Sequence, residues 1–114
     1  MQVPLQVSYR NISKSEALDA RLREKAAKLE EFHPHITSCR VVVEERHRHQ
    51  RQGREFTVSI DARVPGHEVF VNREHDEDVY VAVRDAFDAA ARKLEELARL
   101  QRGDVKTHPT PPRA

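Results

Sequence analysis

Residues 55–64 alternate apolar and polar side chains without a break: Phe56, Val58, Ile60, Ala62 and Val64 against Glu55, Thr57, Ser59, Asp61 and Arg63. A period of two places the first set on one face of an extended strand and the second set on the other. Such a strand belongs to a sheet with one face in a core and the other in water. Any helices in the chain must then share the apolar face.

The remaining elements follow from local pattern. Val3, Leu5, Val7 and Tyr9 alternate with Pro4, Gln6 and Ser8, which predicts a half-buried strand, and Pro4 places it at a sheet edge. Ser13 stands three residues before Glu16, a capping-box spacing that opens a helix. Leu18, Leu22, Ala26 and Leu29 form its apolar stripe, and Pro34 ends it near Phe32. Cys39, Val41 and Val43 alternate with Arg40, Val42 and Glu44 in a second strand. Arg46 to Gly53 reads as a polar connection into the strand at 55–64. Pro65-Gly66 marks a turn, and His67 to Asn72 a fourth, shorter strand of unassigned phase. Asp76 or Asp78 can cap a last helix whose stripe is Val79, Val83, Phe87, Ala90, Leu94 and Leu97, with Gly103 as its stop.

The order strand, helix, three strands, helix predicts an α+β two-layer sandwich, β-α-β-β-β-α, with two helices on one face of a four-stranded sheet. The first helix is a crossover, so the first two strands are expected to be parallel. Residues 1–103 form one domain in this reading. Residues 104–114 hold three prolines and little apolar surface, so a disordered tail is expected.

Composition narrows the function. No run of 18 apolar residues is present, and Met1 to Arg10 lacks a signal-peptide stretch. A lone cysteine, Cys39, has no intramolecular partner; a cytoplasmic protein without membrane association is expected. Twenty Lys and Arg against nineteen Asp and Glu give a net charge of +1, which is not that of an indiscriminate nucleic-acid binder. Any such role depends on where the charges sit.

Arg21, Lys25 and Lys28 are spaced by four and three residues and share one flank of the first helix, with Lys14 two turns earlier. Arg92, Lys93, Arg99 and Arg102 crowd the end of the last helix. Solvated faces and the helix macrodipole account for much of this pattern. The run Arg46-His47-Arg48-His49-Gln50-Arg51-Gln52-Gly53-Arg54 is harder to explain that way, because four arginines with no acid suit a phosphate backbone. A solubilising loop is the other reading.

Other chemistry finds little support. Seven histidines include no HExxH motif and no pairing with cysteine at zinc spacing, so no metal site or cofactor is expected. Cys39 is in phase with Val41 and Val43, which reads as a buried thiol. Gly53, Gly66 and Gly103 make no phosphate loop. Helix capping accounts for Asp76-Glu77-Asp78. Neither an enzyme nor a small-molecule substrate is expected.

His75-Asp76-Glu77-Asp78-Val79-Tyr80-Val81-Ala82-Val83, continuing through Ala90-Ala91-Arg92-Lys93-Leu94, resembles the final helix of the hibernation-promoting factor and ribosome-associated inhibitor (protein Y) family. Ala26-Ala27-Lys28-Leu29-Glu30 resembles the end of that family's first helix. Val71-Asn72-Arg73-Glu74, Arg84 to Ala91 and Gln101 to His108 point to one subgroup. The likeness spans about residues 3 to 102.

The resemblance implies binding to the small (30S) ribosomal subunit, on 16S rRNA in the mRNA and tRNA channel, holding ribosomes inactive under stress. Lys25, Lys28 and Arg92 match basic positions of the family pattern. Arg21, Arg99 and Arg102, together with Arg48 and Arg51 of the loop, extend the RNA-binding set. Glu96 stands where family members often carry lysine, with Glu95 beside it. The family's dimerisation domain is not expected here. About six phosphate contacts would give a slope of log affinity against log salt of roughly −4 to −5. Two other readings remain open: a module for double-stranded RNA in general, and a protein-interaction modulator of a sigma factor.

Overall fold

The computed structural model describes residues 1–47 and 54–103. The elements run β1 (Gln6–Arg10), α1 (Glu16–Phe32), β2 (Ser38–His47), β3 (Arg54–Val64), β4 (His67–Asp76) and α2 (Val79–Arg102). The sheet order is β1-β2-β3-β4. β1 pairs parallel to β2, with Val7 opposite Val41. The two other pairings are antiparallel, with Val43 opposite Val58 and Ile60 opposite Val71. This is the expected α+β sandwich: α1 is the crossover that a parallel pair requires.

The alternation in β3 sets the core. Phe56, Val58, Ile60 and Ala62 are buried, joined by Val41 and Val43 of β2 and by Val69 and Val71 of β4. Leu18, Leu22, Ala26 and Leu29 of α1 and Val83, Phe87, Ala90 and Leu94 of α2 close the same cluster. Cys39 lies in it, and burial with the nearby Asp61 pushes its thiol pKa up to about 11. No helix among the described residues is long and apolar enough to cross a membrane.

Several details depart from the sequence reading. Ser15, not Ser13, caps α1: its extended backbone ends the loop and its hydroxyl accepts from the Leu18 N–H at 3.2 Å. The ladder begins at Glu16, so the serine just before it is the one that can reach the free N–H groups. Asp78 caps α2, accepting from Tyr80 N–H at 2.9 Å and Val81 N–H at 3.4 Å. Gly103 closes that helix in the left-handed region, φ 74°. β1 is an edge strand, but it starts after Pro4. β4 has 10 residues, one fewer than β3, and its phase turns Val69 and Val71 inward and Phe70 outward.

The connection between β2 and β3 is shorter than Arg46 to Gly53, because Arg46 and His47 extend β2. The open face of β3 also contains one buried side chain, Thr57, 3% exposed. Glu44 and Glu74 pair with it on either side. Arg46 reaches both carboxylates, at 3.7 and 3.9 Å, and the three long side chains close over the central strand.

Away from the core, Tyr9 of β1 donates its hydroxyl to Asp19 of α1 at 2.9 Å, and Arg23 binds the other carboxylate oxygen at 2.8 Å. These bonds, Arg23 first and Tyr9 second, hold the Asp19 carboxyl below its ordinary range. Burial, followed by the bond to Asp19, pushes Tyr9 up to about 12.

Two measurements check this account. Leu22→Ala removes a side chain with no solvent exposure and should lower unfolding stability by about 2–5 kcal/mol in urea titrations. A phenol whose pKa is raised by folding favours the native state below its unfolded pKa near 10 and loses that contribution as pH approaches 12. The stability difference between the parent chain and Tyr9→Phe should therefore shrink from pH 10 to 12 and be constant from pH 7 to 9.

Candidate nucleic-acid interface

Because both helices cover one sheet face, α1 and α2 lie side by side and run in the same direction. Arg21 of α1 meets Tyr80 at the start of α2, its guanidinium carbon 5.5 Å from the ring centroid. At the other end, Phe32 and His33 face Glu95, Glu96 and Arg99. Between these ends lies an open groove of about 600 Å³. Leu29, Phe87 and Ala91 give it an apolar floor, and Lys25, Lys28, Arg92 and Arg99 line it with Asp88, Glu95 and Glu96.

The structure thus brings Lys25, Lys28, Arg92 and Arg99 into one site, with Arg21 at its mouth. Lys28, Arg92 and Arg99 are exposed and Lys25 is half-buried. The macrodipole does not account for the bases of α1, since its last turn is Leu29-Glu30-Glu31-Phe32. Arg21 is steadied by Glu24 at 3.8 Å as well as by the Tyr80 ring. Four bases face three acids in the groove, so its field is weakly positive and uneven. Such a site suits an anionic polymer whose charges come at fixed spacing better than a single small anion.

The other candidates fall elsewhere. Arg48 and Arg51 lie outside the described residues. Arg102 ends α2, but its side chain is likewise outside them. The run from Arg46 to Arg54 loses its acid-free character at both ends once the strands pair. Arg46 reaches Glu44 and Glu74, and Arg54 forms a two-pronged bond with Glu45, at 2.7 and 2.9 Å. Glu45 raises the Arg54 pKa further, and the guanidinium also lies 5.0 Å from the Phe56 centroid. Lys93 turns away from the groove and donates to the Phe70 carbonyl at 3.1 Å, on strand β4. Among the described residues no group of three His, Cys, Asp or Glu side chains is placed to hold a metal.

Two aromatic members of this region were not singled out by charge reasoning. Tyr80 forms the ring under Arg21, and Phe32 borders the groove with its ring in solvent. The signal for Phe32 was available: it stands four residues after Lys28, on the same flank as Arg21, Lys25 and Lys28.

One parallel and two antiparallel pairings, a helix pair on one face and a charged groove between the helices define a two-layer α+β protein that presents its helical side. The chain belongs to the sigma 54 modulation protein / S30EA ribosomal protein family, whose sequence profile matches residues 5–102. This is the family of the hibernation-promoting factors. Two solved structures share the fold. One is a ribosomal subunit interface protein from Coxiella burnetii, with a TM-score of 0.70 and 15% identity over 82% of this chain and 96% of that one. The other is the N-terminal domain of Protein Y from Thermus thermophilus, with a TM-score of 0.68 and 20% identity over 81% and 94%. At these identities the likeness is one of fold. No curated protein sequence matches the chain.

Glu96 is the groove acid whose replacement most directly tests the charge balance. If the groove takes an RNA strand, Glu96→Lys should tighten its binding to single-stranded RNA. It should also steepen the slope of log affinity against log salt by about 0.7 to 0.9 if the new ammonium reaches one phosphate. Filter binding between 50 and 300 mM salt would measure both.

Proposed function

We propose that the chain is a ribosome hibernation factor. It seats the groove between α1 and α2 on 16S rRNA in the mRNA and tRNA channel of the small (30S) subunit and keeps the ribosome inactive by occupancy. The observation that carries this reading is the meeting of Lys25, Lys28 and Arg92 in one groove. These three bases come from two helices, stand where the resemblance places basic residues, and lie in a chain of that family.

The mechanism requires no bond to be made or broken. Basic side chains displace condensed counterions from rRNA phosphates, and the released ions drive association. Arg21, Lys25, Lys28, Arg92 and Arg99 are the five described cations at the groove and its mouth. If each meets a phosphate, the slope of log affinity against log salt is about −3.5 to −4.5. The acids beside them disfavour arrangements of phosphates that do not fit, so site choice comes from RNA shape and backbone placement. Helices packed on a sheet hold the backbone positions of these residues at fixed separations before binding. In this reading residues 1–103 are the binding unit, and the place of action is the cytoplasm.

The test is co-sedimentation of the chain with isolated 30S and 50S subunits across a salt series, beside Lys25→Glu/Lys28→Glu/Arg92→Glu. Binding to 30S alone, salt-sensitive and reduced at least tenfold in the triple variant, is the expected result. Equal binding to both subunits and to duplex RNA would replace the proposal with a general RNA-binding role. Absence of binding at low salt would direct the search to a protein partner.

A further inference from the structure

Phe32 is 74% exposed, the highest value among the exposed large apolar side chains of the described residues. Single apolar side chains on a surface are common and need no special cause. The position of this one is informative. Arg21, Lys25, Lys28 and Phe32 follow one another at spacings of four, three and four, so three bases and an aromatic ring form one row along α1. The core does not need the ring, because Leu29 and Ile36 already close that end of it, 5% and 2% exposed.

The backbone that carries the ring is also held in place. Phe32 is the last residue of α1, and the His33 N–H donates to the Leu29 carbonyl at 2.9 Å before Pro34 ends the helix. A phenyl group on such a fixed base has few rotamers to lose on binding. It borders the groove that contains Lys28, Arg92 and Arg99, and also an adjoining cleft of about 450 Å³ beside His33 and Pro34.

We propose that Phe32 is a stacking platform for an unpaired RNA base, with the phosphates on either side of that base lying on Lys28, Arg92 and Arg99. This inference rests on the ribosomal reading and narrows its ligand to a single-stranded or looped segment. Duplex RNA hides its base faces within the stack and has none to offer the ring. The acids of the groove strengthen the argument: they limit what charge alone can supply, whereas stacking tolerates them. A cationic row ending in an exposed ring is the arrangement by which single strands are held without sequence readout.

The test uses the full chain with Phe32→Ala, Phe32→Leu and Phe32→Trp, each checked first for an unchanged urea midpoint. The chain has no tryptophan, so Phe32→Trp is its own reporter. Expected are a 30S affinity reduced roughly 5- to 150-fold in both Phe32→Ala and Phe32→Leu, retained affinity in Phe32→Trp, and tryptophan emission quenched by single-stranded RNA but not by duplex RNA. Unchanged 30S affinity in Phe32→Ala would overturn the platform and leave the ribosomal reading intact. Full affinity in Phe32→Leu with loss in Phe32→Ala would overturn it in favour of an apolar contact with a protein. Quenching by single-stranded RNA in a chain that ignores 30S subunits would support the platform and sink the ribosomal reading.

Discussion

Both helices must cover the same face of one four-stranded sheet, and the site follows from that constraint. The strict alternation of β3 leaves only one face apolar, so Leu22 of α1 and Val83 of α2 converge on the same cluster. A helix stripe turned inward fixes the direction of its flanks. With the stripes of α1 and α2 side by side, Lys25 and Lys28 on one flank come to face Arg92 and Arg99 on another. No contact between these like charges stabilises the arrangement. Their nearness is a consequence of apolar burial elsewhere, with Asp88, Glu95 and Glu96 among them.

The charge pattern of the whole molecule supports the same view. The net charge is +1 because nineteen acids offset twenty bases, and several of the arginines have acids beside them. Arg54 is held by Glu45, Arg23 by Asp19, and Arg63 lies within 4 Å of Asp61 and Glu68. Exposed pairs of this kind add little to stability, but they remove arginines from the set available to a ligand. Sequence counting treats every arginine as equivalent; the folded chain sorts them. The groove differs in combining bases from two helices over an apolar floor, so a ligand there meets several cations at once.

The legibility of the sequence varied with the range of the interaction involved. β3, the parallel β1–β2 pair and the stripes of both helices could be read because each depends on local periodicity or on a short connection. The α1 cap was misplaced by two residues because Ser13 and Ser15 are both suitable, and only the start of the hydrogen-bond ladder at Glu16 decides between them. Thr57 and Arg46 were misread for a different reason. Their partners, Glu44 and Glu74, come from strands on either side, and register across a sheet is not written in any one strand. Lys25 and Lys28 could be placed on one flank from spacing alone. Their meeting with Arg92 required the relative placement of two helices that are far apart in sequence, which the family resemblance supplied and periodicity could not.

A site built on two helices over a sheet suits binding by occupancy. An inhibitor that works by filling a channel gains nothing from motion at its contact surface, since each side chain ordered on binding subtracts from affinity. Here the Arg21 head group rests against Tyr80, and the Phe32 backbone is fixed by the end of α1. Lys25 and Lys28 spring from the flank of a helix whose apolar stripe is buried in the core. The acids in the groove reduce the attraction to any polyanion and reduce it most for those whose phosphates fall beside Glu95 or Glu96. The net effect is to exchange general affinity for discrimination. On the proposed reading, a chain of nearly neutral charge presents a nucleic-acid surface whose selectivity lies in the spacing of a few charges, and a larger total charge would weaken it.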